Sequence, residues 1–273
     1  MTSNNLARLC FVGAGNMAQA IIGGLIDKGH DPKHITACDI NTDQLARLEQ
    51  QYAINTDQDT NRAIADADAI VLAVKPQVLR EVCQALNPQQ EALYISIAAG
   101  IRSSDIERWL GDNKAIVRCM PNTPALLGLG ATGLFANSQV NQAQRQLADG
   151  IIDAIGISVW VSEENELDAV TAISGSGPAY FFLFIEALEN AAKALGLDDE
   201  TAAALARQTA LGASSMAIGK DVVTLRQQVT SKGGTTEQAI ASFQSSHLEQ
   251  IVLQATRAAQ QRSVELAELL SKD

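Results

Sequence analysis

At 273 residues, with 47% hydrophobic and 19% charged side chains, the chain can hold one large or two ordinary domains and has a normal globular balance. Its formal net charge of -11 excludes a basic surface that would displace counterions from nucleic-acid phosphates or from an anionic membrane, so any anionic ligand must be held by local features. Four scattered cysteines without a CxxC, and only three histidines, leave little material for a disulfide framework, a metal centre or a Ser-His-Asp triad; reduced thiols and no metal are expected.

The opening stretch MTSNNLARLCFVGAG passes from a short apolar segment straight into glycines, without the apolar core or cleavage site of a secretion signal. The longer uncharged stretches, Cys119 to Gln144 and Ala169 to Ile185, are punctuated by Pro, Gly, Asn, Ser and Gln, which does not suit a membrane span of ~20 apolar residues. A soluble cytoplasmic protein is expected. Short β-rich runs then recur at Leu9 to Val12, Ile35 to Cys38, Ala69 to Val74, Leu93 to Ile97 and Ala115 to Arg118. Helical patterns begin near Asn16, Asp43, Asp57, Gln77 and Ser104, and Pro76 suits the first turn of one of them. Runs apolar on both faces, alternating with helices, predict a parallel α/β sheet.

The first strand runs into Val12-Gly13-Ala14-Gly15-Asn16-Met17-Ala18, a G-x-G-x-x-A turn between strand and helix. In that context Gly13 permits the tight turn, Gly15 lets a pyrophosphate approach the backbone, and Ala18 keeps helix and sheet close. The helix N-terminus supplies positive potential that the acidic chain otherwise lacks. Asp39 ends the second strand, where a carboxylate accepts hydrogen bonds from an adenosine ribose 2′-hydroxyl and favours NAD; no Arg or Lys follows until Arg47.

After Ile157 to Val161 the alternation stops, and from Glu163 the pattern is helical, broken at Gly175-Ser176-Gly177-Pro178, Gly196, Gly219 and Lys232-Gly233-Gly234. This predicts an α/β dinucleotide-binding domain over 1–162 and an all-α domain over 163–273. The helix expected from Ala179 to Leu195 carries Tyr180 to Ile185, apolar all round, as if neither face met water. Leu248, Ile251, Val252, Ala255, Ala259 and Leu266 add a helical stripe near the end. About 110 residues of helix offer limited core of their own, so packing against a second copy, a homodimer, is expected. Gly175 to Pro178 is not G-x-S-x-G and has no histidine nearby in sequence, which argues against a serine hydrolase.

Six stretches, in order along nearly the whole chain, carry a family resemblance: VGAGNMA, AVKPQ (Ala73 to Gln77), SIAAG (Ser96 to Gly100), RCMPNTPAL (Arg118 to Leu126), DAVTAISGSGPAYFF (Asp168 to Phe182) and VTSKGGTTEQAI (Val229 to Ile240). Together they resemble pyrroline-5-carboxylate reductase, the last enzyme of proline biosynthesis. The resemblance implies an N-terminal Rossmann domain, an all-α C-terminal dimerisation domain that interleaves with its partner, and in many members larger assemblies of dimers. It implies NADPH or NADH as cofactor, with hydride delivered to the imine carbon of a five-membered ring bearing a carboxylate. Cofactor contacts are implied at Val12, Gly13, Ala14, Gly15, Asn16 and Met17, at Ala73, Val74, Lys75 and Pro76, at Ile97, Ala98 and Ala99, and at Asn122 beside the nicotinamide. Each of these segments follows a predicted strand, where ligands of open α/β sheets bind. Glu164 matches a family position near the substrate.

SKGGTT, Ser231 to Thr236, interrupts the helical half with residues poorly suited to a helix interior. For the implied carboxylate it offers concentrated donors: Gly233 and Gly234 let backbone N–H groups approach, Ser231 and Thr235 add hydroxyls, and the next helix adds its first amides. Thr235 with Gln238 also fits a capping box, a purely structural alternative, but capping needs one hydroxyl and no glycine pair. Thr236 is expected to face the imine nitrogen, orienting it and relaying a proton from solvent. Two departures from the family pattern stand out, Lys232 where Pro is common and Asp39 where Ser or a basic residue is common; the second leaves the choice of nicotinamide open.

Two other readings compete. A hydroxyacid dehydrogenase of similar layout relies on a lysine early in its helical domain, whereas here the only lysine between Val161 and Ala210 is Lys193. A non-catalytic dinucleotide-binding sensor explains VGAGNMA but leaves SKGGTT without a purpose.

Overall fold

Short, mostly apolar runs build one eight-stranded sheet in the computed structural model, which describes residues 6–89 and 91–271. The first five residues of the opening stretch, read above against a secretion signal, lie outside these. The strands are β1 (Leu9–Val12), β2 (Ile35–Cys38), β3 (Asn55–Asp57), β4 (Ala69–Leu72), β5 (Leu93–Ser96), β6 (Ala115–Met120), β7 (Gly130–Ala136) and β8 (Gly156–Trp160). Their order is β3-β2-β1-β4-β5-β6-β7-β8, and every neighbouring pair is parallel except β6 with β7.

Successive side chains of a strand point to opposite faces, so each strand feeds two cores. Leu9, Phe11, Val71, Ile95 and Val117 belong to one, with Ile21 and Ile22 of α1 (Asn16–Asp27), Leu45 and Leu48 of α2 (Thr42–Tyr52) and Ile151 of α6 (Gln142–Ile152). Cys10, Val12, Ile70, Leu72, Tyr94 and Ile116 belong to the other, with Ile64 of α3 (Thr60–Ile64), Leu79 of α4 (Pro76–Ala85) and Ile106 of α5 (Ser103–Leu110). Helices on both faces of a mostly parallel sheet make a doubly wound fold, and the order of strands reverses between β1 and β4.

The five expected strands and the one before residue 162 are present; the helix expected from near Asp57 starts at Thr60, because Asp57 ends β3, and β3, β7 and α6 stand outside the sequence pattern. Asn55-Thr56-Asp57 is a three-residue polar edge strand, and β7 (GATGLFA) carries two glycines that read as a loop. Both glycines answer to packing. A β-carbon on Gly130 would lie 2.7 Å from the Ile155 carbonyl oxygen, and one on Gly133 2.7 Å from the Val170 side chain.

By contacts the chain divides into two compact units, one running to Ser176 and resuming at Ala259, the other spanning Gly177–Ala258. The first therefore contains α7 (Glu166–Val170), the π-helical turn Thr171–Gly175 and the end of α12 (Leu248–Leu270). There the Ser263 hydroxyl donates to Asp168 at 2.7 Å, Asp168 pairs with Arg102 at 2.7 Å, and the Ser271 hydroxyl donates to Asp105 at 2.6 Å.

The second unit is helical: α8 (Gly177–Ala194), α9 (Asp199–Ala217), α10 (Val222–Gln228), α11 (Thr235–Ser245) and the start of α12. Arg207 of α9 pairs with Glu189 of α8 at 2.8 Å, and Phe184 of α8 meets Phe243 of α11 with ring centroids 6.2 Å apart. The all-round burial expected of α8 is not achieved within one chain, where Phe181, Phe182 and Leu183 are 64%, 66% and 67% exposed. The reason is shortage of partners: few large side chains of this unit are covered by its own helices. No helix among the described residues is long and apolar enough to cross a membrane.

Candidate active site

Register brings the expected cofactor segments to one edge. Cys38, Val12, Leu72 and Ser96 pair in a row across β2, β1, β4 and β5, so the residues that follow them, Asp39, Gly13, Ala73 and Ile97, leave the sheet side by side. The crossing backbones are tied there: the Gly13 amide donates to the Cys38 carbonyl at 2.8 Å, and the Ala73 amide to the Val12 carbonyl at 2.8 Å.

Gly13 sits at φ +100°, and a β-carbon on it would stand 2.7 Å from the Ala73 carbonyl oxygen, so only glycine allows the turn to pass the end of β4. Gly15 is different in kind. A β-carbon on it would meet nothing within 4 Å, which leaves an open approach to the start of α1. Gly15 is also the N-cap and offers no capping side chain. By contrast α2, α9 and α10 start on Asn41, Asp198 and Asp221, whose side chains accept from backbone amides, and α6 starts on a full capping box of Asn141 and Gln144. An uncapped helix start behind an open glycine is the shape and polarity a pyrophosphate requires, so these residues fit a dinucleotide.

Asp39 lies beside that turn: its Oδ2 accepts from the Ala14 amide at 2.8 Å and its Oδ1 from the Asn41 amide at 2.9 Å. The Ala14 carbonyl accepts from the side-chain amides of Gln19, at 2.9 Å, and Gln44. Lys75 is the exposed N-cap of α4, with Pro76 as its first helical residue, and the Ala98 amide donates to the Ser96 hydroxyl at 3.3 Å. Asn122, beyond β6, donates to the Ser174 carbonyl and accepts from the Ala131 amide, both at 3.0 Å, so its amide is fixed between the π-helical turn and the start of β7.

Glu164 is held by the sheet unit. Its Oε1 accepts from the Ser103 amide at 2.6 Å and from Arg118 Nη1 at 2.7 Å, and its Oε2 from the Ser103 hydroxyl at 2.9 Å. It thereby supplies the start of α5 with the acceptor that Arg102, at the N-cap position, does not. Burial pulls the Arg118 guanidinium below its usual range while the Glu164 carboxylate pushes it back up. Nothing in the chain order of Ser103, Arg118 and Glu164 announces this cluster.

Ser231 to Thr236 lie in the helical unit. Gly233 adopts φ +75°, its amide donates to Glu237 Oε2 at 2.7 Å, and the Gly234 amide donates to the Ser231 carbonyl at 3.0 Å. A β-carbon on Gly234 would stand 2.6 Å from Ser231 Oγ. The N-cap of α11 is Gly234, not Thr235, and no side chain caps it; Thr235 and Thr236 are the first two helical residues. The Thr235–Gln238 capping box therefore does not form. The glycines spend their own amides closing the loop, and the donors left uncapped are those of Thr235, Thr236 and Glu237. Glu237 was not anticipated; its only signal is its place four residues after Gly233.

Fold and glycine turn together define a nicotinamide-dinucleotide-dependent oxidoreductase. Residues 8–100 match the family model "NADP oxidoreductase coenzyme F420-dependent", and residues 164–266 match "Pyrroline-5-carboxylate reductase dimerisation". The chain is 51% identical to a pyrroline-5-carboxylate reductase of Pseudomonas aeruginosa, over 97% of this chain and 98% of that one. Among solved structures, a pyrroline-5-carboxylate reductase from Coxiella burnetii superposes with a TM-score of 0.92 at 45% identity, covering 95% of this chain and 98% of that one. A pyrroline carboxylate reductase of Plasmodium falciparum with NADP bound gives 0.82 at 29% identity, covering 96% and 99%. The chain belongs to the pyrroline-5-carboxylate reductase family.

Proposed function

We propose that this chain reduces 1-pyrroline-5-carboxylate to L-proline at the expense of NADH or NADPH. The observation that carries the proposal is the pair of helices, α1 and α11, that start on glycine without a capping side chain, in a chain half identical over its length to a reductase of that name. Each such start leaves amide donors for an anion, one for a pyrophosphate and one for a small carboxylate.

When bound, the reduced nicotinamide supplies a hydride. Val12 to Met17, Ala73 to Pro76 and Ile97 to Ala99 line the edge that holds the dinucleotide, and Asn122, pinned at both ends of its amide, presents a fixed border to the ring. The uncapped amides of Thr235 and Thr236, with the hydroxyls of Ser231 and Thr235, bind the substrate carboxylate, while Gly233 and Gly234 shape the turn. The Thr236 hydroxyl hydrogen-bonds the imine nitrogen, so that as hydride reaches the carbon the nitrogen holds or gains its proton from solvent through that hydroxyl. Glu164 enters through what it holds, Arg118 and the start of α5; both its oxygens already accept, so a direct substrate contact would use a remaining lone pair. The proposal requires residues 231–236, from the same chain or a second copy, to carry the imine to the nicotinamide.

We further propose that the working form is a homodimer, and that larger assemblies of it form as in many family members. The open faces of α8 and the dimerisation-family match support it. A cytoplasmic location is part of the same proposal, supported by four buried free thiols, Cys10, Cys38, Cys83 and Cys119.

The direct test is to mix purified protein, pyrroline-5-carboxylate and NADH or NADPH, and follow both nicotinamide oxidation and proline. One proline per nicotinamide oxidised is expected. Activity on 2-hydroxy acids alone, or binding of nicotinamide without turnover of the imine, would replace the proposal with a dehydrogenase or a sensor.

A further inference from the structure

The edge where the adenosine ribose would sit is more acidic than β2 alone discloses. Cys38, the residue before Asp39, is in register with Asp57 at the end of β3, and neighbouring strands lie only about 4.8 Å apart. Asp57 Oδ1 accepts from the Asp59 amide at 2.8 Å, and Asp59 Oδ1 caps α3. The loop returns to β2, because Thr60 Oγ1 lies 3.2 Å from Cys38 Sγ. Burial raises the Cys38 thiol, the Thr60 hydrogen bond opposes it, and the charges of Asp57, Asp39 and Asp59 add smaller pushes in the same direction as burial.

Of the cations near this edge, Arg62 is committed. Arg62 grips Asp57 through Nε at 2.6 Å and Nη2 at 2.5 Å, which holds the Asp57 carboxyl below its usual range and so ionised. Asp43 occupies the first turn of α2, Arg47 lies a turn further along it, and Lys75 stands at the start of α4. Asp39 itself is fixed by the Ala14 and Asn41 amides and cannot swing away without giving up both.

We propose that Asp39, backed by Asp57 and Asp59, makes the ribose site select a free 2′-hydroxyl, so that this enzyme takes NADH in preference to NADPH. This rests on reading the Gly13–Ala18 turn as a dinucleotide site, and it parts from the matched relatives whose descriptions name NADP. A hydroxyl donates to Asp39 and gains a charge-assisted hydrogen bond. A 2′-phosphate at the same place brings a second anion against a fixed carboxylate, with the arginine that could answer it already paired to Asp57.

The test is calorimetric titration of the full chain with ADP-ribose and with 2′-phospho-ADP-ribose, which reads the phosphate without turnover. Wild type is expected to bind ADP-ribose at least about tenfold tighter, near 1.4 kcal/mol, with the gap narrowing as salt rises. Asp39→Ser is expected to bring the two within about threefold, or 0.65 kcal/mol. Because that variant also loses the bond to Ala14, a second one, Asp57→Asn, keeps Asp39 while removing one charge and releasing Arg62; it is expected to shift the ratio the same way. Equal or tighter binding of the phosphorylated probe by wild type, or a ratio that moves in neither variant, overturns the preference. If neither probe binds, the dinucleotide reading of the turn falls, and the preference with it.

Discussion

Arg118 and Glu164 show how a side chain chosen for one role is held by another. Their side chains are 7% and 21% exposed, so removing the carboxylate charge leaves a buried guanidinium without its counter-ion. Glu164→Gln is expected to cost about 3 kcal/mol in chemical denaturation, and an unchanged midpoint would contradict this. His30 carries a pH dependence. It is 4% exposed, its Nε2 donates to the Ala7 carbonyl at 3.0 Å, and desolvation pulls its pKa below the ordinary 6.5, opposed by that hydrogen bond. Between the lowered folded value and 6.5 the unfolded chain binds more protons than the native one, so stability is fully present above pH 6.5 and falls as pH drops through this window. His30→Gln should flatten that part of the stability–pH curve; an unchanged slope would assign it to other groups. At Thr236, replacement by Ala is expected to lower turnover tenfold or more, about 1.4 kcal/mol of transition-state stabilisation, and unchanged steady-state kinetics would remove Thr236 from the mechanism.

Among the elements, α2, α9 and α10 start on an Asn or Asp whose side chain accepts from the backbone and α5 takes its acceptor from Glu164, whereas α1 and α11 start on a glycine that leaves room as well as free amides. Gly15→Ala and Gly13→Ala separate the demands of site and fold. Gly15 has φ -67° and empty space around it, so alanine there should leave the denaturation midpoint unchanged while weakening ADP-ribose at least about tenfold. Gly13 at φ +100° faces the Ala73 carbonyl, so alanine there should destabilise the fold by more than about 1 kcal/mol. Equal effects in both assays for both variants would sink the distinction. The glycine turn was legible because its neighbours in sequence are its neighbours in space. The strands β1, β2, β4, β5 and β6 were legible from their apolar runs. Strands β3 and β7 were not, since one is polar and the other owes its glycines to contacts with Ile155 and Val170, far along the chain. The Ser103–Arg118–Glu164 cluster joins three segments, which no single stretch of sequence discloses.

At the scale of the molecule, what one chain leaves undone is informative. The apolar ring of α8, read as buried, is open in a single chain, and Ile251, Val252 and Leu253 at the start of α12 are likewise about half exposed. Surface of this kind marks an interface. Light scattering on the purified protein should give at least twice the 28.9 kDa chain mass, and Leu183→Glu should lower that mass or abolish folding; a dilute, folded monomer of wild type would contradict the dimer. The central claim, that the loop before α11 delivers a carboxylate to a nicotinamide held by the turn before α1, has one most direct measurement: a crystal structure of the enzyme with oxidised nicotinamide and proline bound together. The account predicts the proline carboxylate within hydrogen-bond distance of the Thr235 and Thr236 amides of one copy or its partner, with the ring carbon against the nicotinamide. Proline bound elsewhere, with residues 231–236 remote from every nicotinamide ring in the assembly, would contradict it.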